Sequence, residues 1–417
     1  MNGYEKTSRS LAHRAGPVPV DFGSNAVTGM HVTVVEALRR HYGLEDRPVR
    51  VNEPYQMLGE IEEDLKLAIG IDVEGVYPDT TIFGFRNGGW KEWKAPWGQE
   101  LLVPAAFRTV LRDGSTLIFP EGDTGAQPSG RMPQSGYFFD TIIRQAPLDE
   151  EKLDPRDNLQ EFGPVAESTL EYFKGACSAA RKTGRFVMAN FGGTGLGDIA
   201  LVTGPMLPRP RGIRDVAEWY MATVAHEDYV RAVFDEQTRI AVENLRRVKE
   251  AVGDTVDAAF ICGTDFGTQT SQFCSVAAFE SLWAPYYRRV NDWIHANTGW
   301  KTFKHCCGAA EPFMRPFIEC GFDIINPVQL SAAGMDAAEL KRKYGDRLTF
   351  WGGAVDTQMT LPFGSPDEVR REALERCAIL SERGGFVFNA IHNVQAKTPV
   401  ENVVALVEAV KEFNAGR

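Results

Sequence analysis

The residue pattern with the most specific chemistry is a histidine followed two positions later by a cysteine, His305-x-Cys307. Residues i and i+2 of an extended segment point to the same face, so the imidazole and the thiol would converge there. A borderline-soft ion such as Zn²⁺ binds this nitrogen and sulfur pair and favours the deprotonated thiol. The alternative is structural, because a buried cysteine also behaves as a small apolar residue beside a hydrogen-bonded histidine. Cys306 should point the other way, into the packing between strand and helix.

A pair of ligands does not make a catalytic zinc site, which needs three protein ligands and an open position. Three residues near other predicted strand ends are candidates for the third ligand: His392, Asp265 and Cys262. Spacing alone does not choose among them.

Short apolar runs alternate with segments of helical period, which is typical of parallel strands joined by helical crossovers. The predicted strands are Pro17–Gly23, Ile71–Val76, Arg185–Asn190, Asp257–Cys262, Lys301–Cys306, Phe322–Asn326, Leu348–Gly352 and Gly385–Ile391. The predicted helices are Thr33–His41, Gly59–Leu67, Val216–Val252 (one helix or two), Ala277–Thr298, Ala338–Tyr344, Asp367–Arg383 and Val400–Ala415. This order predicts an α/β fold, a single (β/α)₈ TIM barrel over residues 1–417.

Residues 80–162 break this alternation, because the stretch is rich in Trp, Gly and Pro and has few helical patterns. Its aromatic residues need a surface to pack on. We therefore predict an inserted β-rich and loop segment in the N-terminal half of the barrel.

Polar residues gather where the predicted strands end. In a (β/α)₈ barrel this carboxyl-terminal face carries the catalytic groups. The residues concerned include Asp265, His305, Cys307, Asn326, Gln329, Asp356, His392 and Asn393. Loops often contain Asp, Asn and Gln, but five successive strand ends with such clusters favour an active site.

Composition excludes several classes of function. The net charge is −11 with no Lys/Arg-rich run, which does not suit a nucleic-acid backbone. Each apolar run is broken well short of the ~18 residues of a membrane span, and the N-terminus lacks the apolar stretch of a signal peptide. The seven cysteines are an odd number and widely spread. We expect a cytoplasmic protein with reduced thiols.

Three long segments resemble the uroporphyrinogen decarboxylase superfamily. They are FKHCCGAAEPFMRPFIECGFDIINPVQ, LTFWGGAVDTQMTLPFGSPDEVRREALERC and GGFVFNAIHNVQAKTPVENVVALVEA. The resemblance covers the chain well from Asp257 onward and implies a single (β/α)₈ barrel. It also implies one of two chemistries.

The first chemistry is cofactor-free decarboxylation of a tetrapyrrole with many carboxylates, which those enzymes bind partly through R-Q-A-G-R after the first strand. This chain has DFGSNAVTG there, with no arginine between Arg14 and Arg39. Asp79 lies where the essential aspartate of the decarboxylases would fall, and His392 lies where they carry a histidine. The resemblance then implies an acid/base role for Asp79 and His392.

The second chemistry is that of the cobamide-dependent methyltransferases, whose coenzyme M enzymes bind zinc through H-x-C and a later cysteine six residues before T-P-x-E-N. Here His305-x-Cys307 matches the first part, and His392 stands six residues before Thr398. The resemblance therefore implies His305, Cys307 and His392 as Zn²⁺ ligands, with imidazole in place of a thiolate, which zinc accepts.

We predict a zinc-dependent methyltransferase that moves a methyl group between a small methylated, for example methoxylated, substrate and a corrinoid. The chain lacks the D-x-H-x-x-G cobalamin motif, so cobalamin would be carried by a separate corrinoid protein. The predicted catalytic residues are Asp265, His392 and Asp79, and the predicted substrate-binding residues are Gln329, Asp356 and Asn393. Expected partners are the substrate, the corrinoid protein and, in a homodimer, a second copy of the chain.

Two other functions remain open. One is a cofactor-free decarboxylase or lyase, and the other is a barrel that binds a ligand without catalysis.

Overall fold

The computed structural model describes residues 1–416 as an α/β protein built around a curled parallel sheet. Its helices are α1 Gly3–Leu11, α2 Val32–His41, α3 Glu63–Ile69, α4 Glu167–Lys182, α5 Ile199–Val202, α6 Val216–Ala225, α7 Glu227–Val252, α8 Val276–Leu282, α9 Ala284–Asn297, α10 Met314–Glu319, α11 Ala337–Tyr344, α12 Thr360–Phe363, α13 Pro366–Leu380 and α14 Val400–Ala415. Its strands are β1 Val49–Glu53, β2 Leu58–Gly59, β3 Val73–Val76, β4 Lys91–Lys94, β5 Glu100–Val103, β6 Thr109–Arg112, β7 Ser115–Ile118, β8 Gly130–Pro133, β9 Asp140–Thr141, β10 Phe186–Ala189, β11 Ala258–Cys262, β12 Lys301–His305, β13 Ile324–Asn326, β14 Thr349–Trp351 and β15 Phe386–Val387.

Seven parallel strands form the central sheet in the order β15-β14-β13-β12-β11-β10-β3. These are seven of the eight strands that the sequence predicted. The eighth, around Val20, is reduced to a parallel bridge with Phe388. The backbone N–H of Asp21 donates to the Phe388 carbonyl (2.9 Å), and the N–H of Asp72 donates to the Val20 carbonyl (2.8 Å). This short segment therefore contacts both edges of the sheet.

The side chains on the two faces of the central sheet form two separate apolar clusters. The inner cluster contains Leu11 of α1 and eight strand residues, namely Val73, Phe186, Met188, Ala258, Phe303, Ile324, Trp351 and Val387. The second, much larger cluster packs the outer face against the helices. Helix α1 lies at the amino end of the strands, where the Ser10 hydroxyl donates to the Phe386 carbonyl. This leaves the carboxyl ends of the strands for chemistry.

The stretch from residue 80 to 162 contains six strands, β4 to β9, which belong to two further sheets. One has the order β2-β1-β5-β4, and the other is antiparallel with the order β6-β7-β8-β9. The stretch is therefore β-rich, as predicted, and its being an insertion into a barrel stays a prediction. Within the described residues, no helix is long and apolar enough to cross a membrane.

Candidate metal centre

His305, Cys307 and His392 meet at the carboxyl ends of the strands. His305 is the last residue of β12, Cys307 follows two positions later, and His392 lies in the loop after β15. One ligand atom from each residue lies within 4.8 Å of the others. The Nε2 atom of His305 is 3.2 Å from the Cys307 Sγ, and the imidazole centroids of the two histidines are 5.3 Å apart.

The curl of the sheet and the loop after β15 bring the third residue to the pair. Strands β12 and β15 are separated by β13 and β14. In a flat sheet, three strand spacings would hold their ends ~14 Å apart. Because His392 lies five residues beyond β15, the curl of the sheet and this loop together bring its ring to 5.3 Å from that of His305. The predicted convergence of the His305-x-Cys307 pair with His392 across the strand ends is found in the structure.

Backbone hydrogen bonds hold the turn that carries Cys307. The Cys307 N–H donates to Asp265 Oδ1 (2.7 Å), and the Gly308 N–H donates to Gln329 Oε1 (2.7 Å). Gly308 has φ 82°, and a Cβ there would lie 2.5 Å from the backbone of Gly267. Only glycine fits this turn, so the sequence Cys307-Gly308 lets the strand end fold tightly against the loop after β11.

Burial sets the protonation states of the three side chains. Burial lowers the pKa of His305 to about 4, with Asp265 opposing that shift, and burial also lowers the pKa of His392. Both imidazoles are therefore neutral at pH 7. Burial and the Asp265 carboxylate raise the pKa of Cys307 well above its usual value, so this thiol has to lose a proton to bind a metal.

The donor atoms of the three side chains are of the kinds that Zn²⁺ binds. Two neutral imidazoles and one thiol converge, which is the mixed nitrogen and sulfur donor set that zinc prefers. Of the three candidates for a third ligand, His392 belongs to this group, whereas Cys262 and Asp265 contribute no donor atom to it. Cys306 Sγ instead accepts the Phe266 N–H, so its predicted turn away from the pair is confirmed.

The nearest cation is turned away from the three donors. Lys304 is completely buried, and its Nζ donates to the carbonyls of Thr264 (2.5 Å) and His305 (2.6 Å). The same ammonium lies 5.1 Å from the centroid of the Phe266 ring. Its hydrogen bonds are thus made with the backbone, while its charge opposes the rise in the pKa of Cys307.

Of the other predicted site residues, Gln329 and Asn393 contact the donor cluster, whereas the hydrogen bonds of Asp356 and Asp79 are made with other parts of the chain. Gln329 Nε2 donates to Gln269 Oε1 (2.8 Å), and Asn393 Oδ1 contacts His392 Nδ1 (2.9 Å). Asp356 accepts the N–H groups of Gln358 and Met359 in a turn. Asp79 accepts the Thr169 hydroxyl of α4 (3.1 Å). Their predicted catalytic and substrate-binding roles remain predictions.

Sequence reasoning missed Gln56, which belongs to the loop between β1 and β2. Its Oε1 accepts the side-chain N–H of Asn393 (2.5 Å). No strand-end position or motif marks Gln56, and only the folded chain places it there. Asn326, in contrast, ends β13 and was visible as a strand-end polar residue, although the sequence assigned it no role.

A cavity of about 310 Å³ adjoins the centre on the side of α6. Its lining residues include Thr264, Asp265, Tyr220 and Phe273, and the last two rings are stacked with centroids 5.1 Å apart. Asp265 thus faces both the Cys307 turn and this space. Its Oδ2 has no hydrogen-bond partner within residues 1–416.

Comparison with known proteins places this site in context. The family model for uroporphyrinogen decarboxylase (URO-D) matches residues 149–413. The uroporphyrinogen decarboxylase of Coxiella burnetii (strain Dugway 5J108-111) is 34% identical over 79 residues, which are 19% of this chain and 21% of that protein. The chain therefore aligns with about a fifth of the length of this curated relative. A solved methyltransferase from Methanosarcina mazei superimposes with a TM-score of 0.57 at 16% identity, over 99% of each chain, and this shows a shared fold.

Proposed function

The chain belongs to the uroporphyrinogen decarboxylase family, and from this premise we propose that it is a zinc-dependent methyltransferase. It would move a methyl group between a small methylated, for example methoxylated, substrate and the corrinoid of a separate protein. The observation that carries the proposal is the convergence of His305, Cys307 and His392 within 4.8 Å. A cofactor-free decarboxylase has no need of a thiol and two neutral imidazoles around one point.

We also infer that the curled sheet closes as a (β/α)₈ barrel. The segment around Val20 would be the missing strand, because it forms backbone hydrogen bonds with Phe388 beyond β15 and with Asp72 before β3. Closure would make the carboxyl ends of the strands a single mouth with the metal centre on its rim.

In this function His305, Cys307 and His392 would hold Zn²⁺. Lewis acidity toward the heteroatom that carries or accepts the methyl group is the chemistry that a bound zinc ion supplies. Asp265 would fix the Cys307 turn with Oδ1 and leave Oδ2 to accept a hydrogen bond from the substrate. The stacked rings of Tyr220 and Phe273 would offer an apolar wall to the part of the substrate that does not react.

The charges around the centre favour a neutral or cationic substrate. Asp265 is the carboxylate that acts on both imidazoles. Lys304 directs its hydrogen bonds to backbone carbonyls, and the ammonium of Lys397 lies 4.9 Å from the Tyr137 ring centroid. Asp265 would therefore repel a substrate carboxylate, and the Lys304 ammonium already donates to two backbone carbonyls instead of forming an ion pair with it.

The match with a uroporphyrinogen decarboxylase over 79 residues keeps cofactor-free decarboxylation as the second candidate. Under that function, Asp79 and His392 would act as acid and base, and no metal would be required.

A direct assay separates the two candidates. The purified chain is analysed for metal and is then incubated anaerobically with cob(I)alamin and a panel of methoxylated compounds, and methylcobalamin formation is followed by absorption. Near-stoichiometric zinc together with methylcobalamin formation is the expected result. Metal-free protein that releases CO₂ from a carboxylated substrate would instead establish the decarboxylase.

A further inference from the structure

The hydrogen bonds of Asn326 fix which nitrogen of His305 carries a proton. The backbone carbonyl of Trp351 can only accept, so the Asn326 atom 2.9 Å from it must be Nδ2. The other amide atom, Oδ1, is then the one that faces His305 Nδ1 at 2.6 Å. Because Oδ1 can only accept, His305 donates its Nδ1–H. The lone pair of the neutral ring is therefore on Nε2, which faces Cys307 Sγ at 3.2 Å.

His392 is oriented in the same way by a second asparagine. The backbone carbonyl of Ala26 accepts from Asn393 at 3.2 Å, which identifies that atom as Nδ2. Asn393 Oδ1 then faces His392 Nδ1 at 2.9 Å and requires a proton there. Each neutral imidazole therefore has its lone pair on Nε2.

The second asparagine is in turn linked to the loop between β1 and β2. Asn393 Nδ2 also donates to Gln56 Oε1 (2.5 Å), and the Gln56 N–H donates to the Glu53 carboxylate (2.8 Å). Glu53 accepts the Tyr55 N–H as well (3.0 Å), and Met57 has φ 54° in the left-handed region. This is a backbone conformation that a non-glycine residue adopts only when the surroundings hold it.

We propose that Asn326 and Asn393 are positioning residues that hold His305 and His392 as Nε2 metal ligands. The loop from Glu53 to Met57 fixes the position of Asn393 through its hydrogen bond with Gln56. The positioning role of the two asparagines rests on the proposed metal site. The tautomers themselves do not depend on a metal, so they can be tested separately. Groups that hold the second nitrogen of a ligating histidine typically change metal affinity by about 10–100-fold when they are removed.

The first measurement is the tautomer of each histidine in metal-free protein. Long-range ¹H–¹⁵N correlation spectra of the ¹⁵N-histidine-labelled chain distinguish Nδ1–H from Nε2–H rings, and there are seven histidines to assign. His305→Gln and His392→Gln variants identify the two signals. We expect Nδ1–H for both residues, and an Nε2–H ring at either position would overturn the proposal.

The second measurement is metal affinity, from Zn²⁺ competition with a chromophoric chelator and from the visible spectrum of bound Co²⁺. Asn326→Leu and Asn393→Leu should each weaken binding by about 10–100-fold. Asn326→Asp should bind more tightly than Asn326→Leu, because an oxygen again faces Nδ1. Gln56→Leu should have a smaller effect and should move only the His392 signal.

Asn291→Leu is the matched control. Asn291 is also completely buried and donates to a backbone carbonyl, that of Cys320 (2.8 Å), but it lies on α9 away from the centre. Its loss should cost stability and leave metal affinity unchanged. If the Asn326 and Asn393 variants bind metal as tightly as Asn291→Leu, the positioning role is wrong. If the wild-type chain binds no metal but shows both Nδ1–H tautomers, the proposed function fails while the assigned hydrogen bonds stand.

Discussion

Replacement of His392 by cysteine and by alanine tests the metal centre most directly. The two variants differ in whether a donor atom remains at position 392. If His392 is a ligand, zinc affinity should fall in the order wild type, His392→Cys, His392→Ala. If His392 is a free acid/base group, both variants should lose activity with their metal content unchanged.

The size of the effect follows from the number of donors. Structural zinc sites with four ligands bind with an apparent ~10–16 kcal/mol, so one ligand accounts for ~2.5–4 kcal/mol. Loss of one of the three donors at this site should therefore weaken binding by ~60- to 700-fold, since ~1.4 kcal/mol corresponds to a factor of ten. A cysteine sulfur lies ~2 Å nearer the backbone than Nε2, and the longer zinc–sulfur bond recovers only ~0.3 Å of this distance. The loop after β15 must therefore shift, so His392→Cys should retain zinc with reduced affinity.

Proton release during zinc binding gives a second readout of the same substitution. Both imidazoles are neutral at pH 7 because burial lowers their pKa values, whereas Cys307 is a thiol. Wild-type protein should therefore release one proton for each zinc bound, and His392→Cys should release two. Isothermal titration in buffers of different ionisation enthalpy measures this number. Wild-type zinc affinity in His392→Ala, or a single proton from His392→Cys, would refute the ligand assignment.

Three further predictions follow from neighbouring residues. Cys307→Ser should abolish stoichiometric zinc, measured by elemental analysis, whereas Cys306→Ser should retain it because the Cys306 Sγ faces the Phe266 N–H. Uroporphyrinogen should yield no coproporphyrinogen in a direct assay, because a substrate carboxylate ~4 Å from Asp265 would be repelled by roughly 4 kcal/mol at an effective dielectric of about 20. Burial raises the pKa of Asp21 from 3.8 to about 6. The folded protein therefore holds this proton more tightly than the unfolded chain, and the free energy of unfolding falls as the pH rises from about 4 to about 6. The Asp21→Asn variant lacks this pH-dependent change of about 3 kcal/mol. Its unfolding free energy relative to that of the wild-type protein, measured by urea unfolding, should therefore increase over this pH interval and then level off.

The central sheet could be predicted from the sequence because its strands are buried on both faces. Runs such as Arg185–Asn190 and Phe322–Asn326 are apolar without alternation and end at Gly, Asp or Asn, and such a pattern marks parallel strands. Seven of these runs form the sheet. The segment from Pro17 to Gly23 was harder to define, since its prolines lack the N–H groups that a longer ladder needs. Only Val20 forms a bridge there.

Five helices were not predicted from the sequence: α1, α4 and three short helices, α5, α10 and α12. Helix α1 is only nine residues long and lies before the first predicted strand. Helix α4 follows the aromatic stretch and contains Gly175 together with several small residues, which weaken the apolar stripe. Its buried face consists of Leu170, Phe173, Cys177 and Ala180. The contact of this face with the rest of the protein, rather than helix propensity, stabilises α4.

Some features of the candidate site follow from local sequence, whereas others depend on tertiary contacts. The convergence of His305 and Cys307 follows from their spacing alone, because alternate residues share a face. The position of His392 came from the resemblance, through its distance from Thr398, and the structure brings its ring to 5.3 Å from that of His305. Gln56 could not be predicted, since its contact with Asn393 spans 337 residues of sequence.

The hydrogen bonds that join the strand ends are the same ones that orient the metal donors. Asn326, on β13, connects the His305 ring of β12 to the Trp351 carbonyl of β14. Gly352 leaves room for this amide, because a Cβ there would lie 3.2 Å from the Asn326 Nδ2 and 2.8 Å from the Ala390 carbonyl. Three neighbouring strands are thus tied through one side chain whose geometry also sets the lone pair of His305. A substitution that loosens this part of the sheet should therefore disturb the donor set before it unfolds the protein, because the donors tolerate only a few tenths of an ångström around a zinc ion, at bond lengths of ~2.0–2.3 Å.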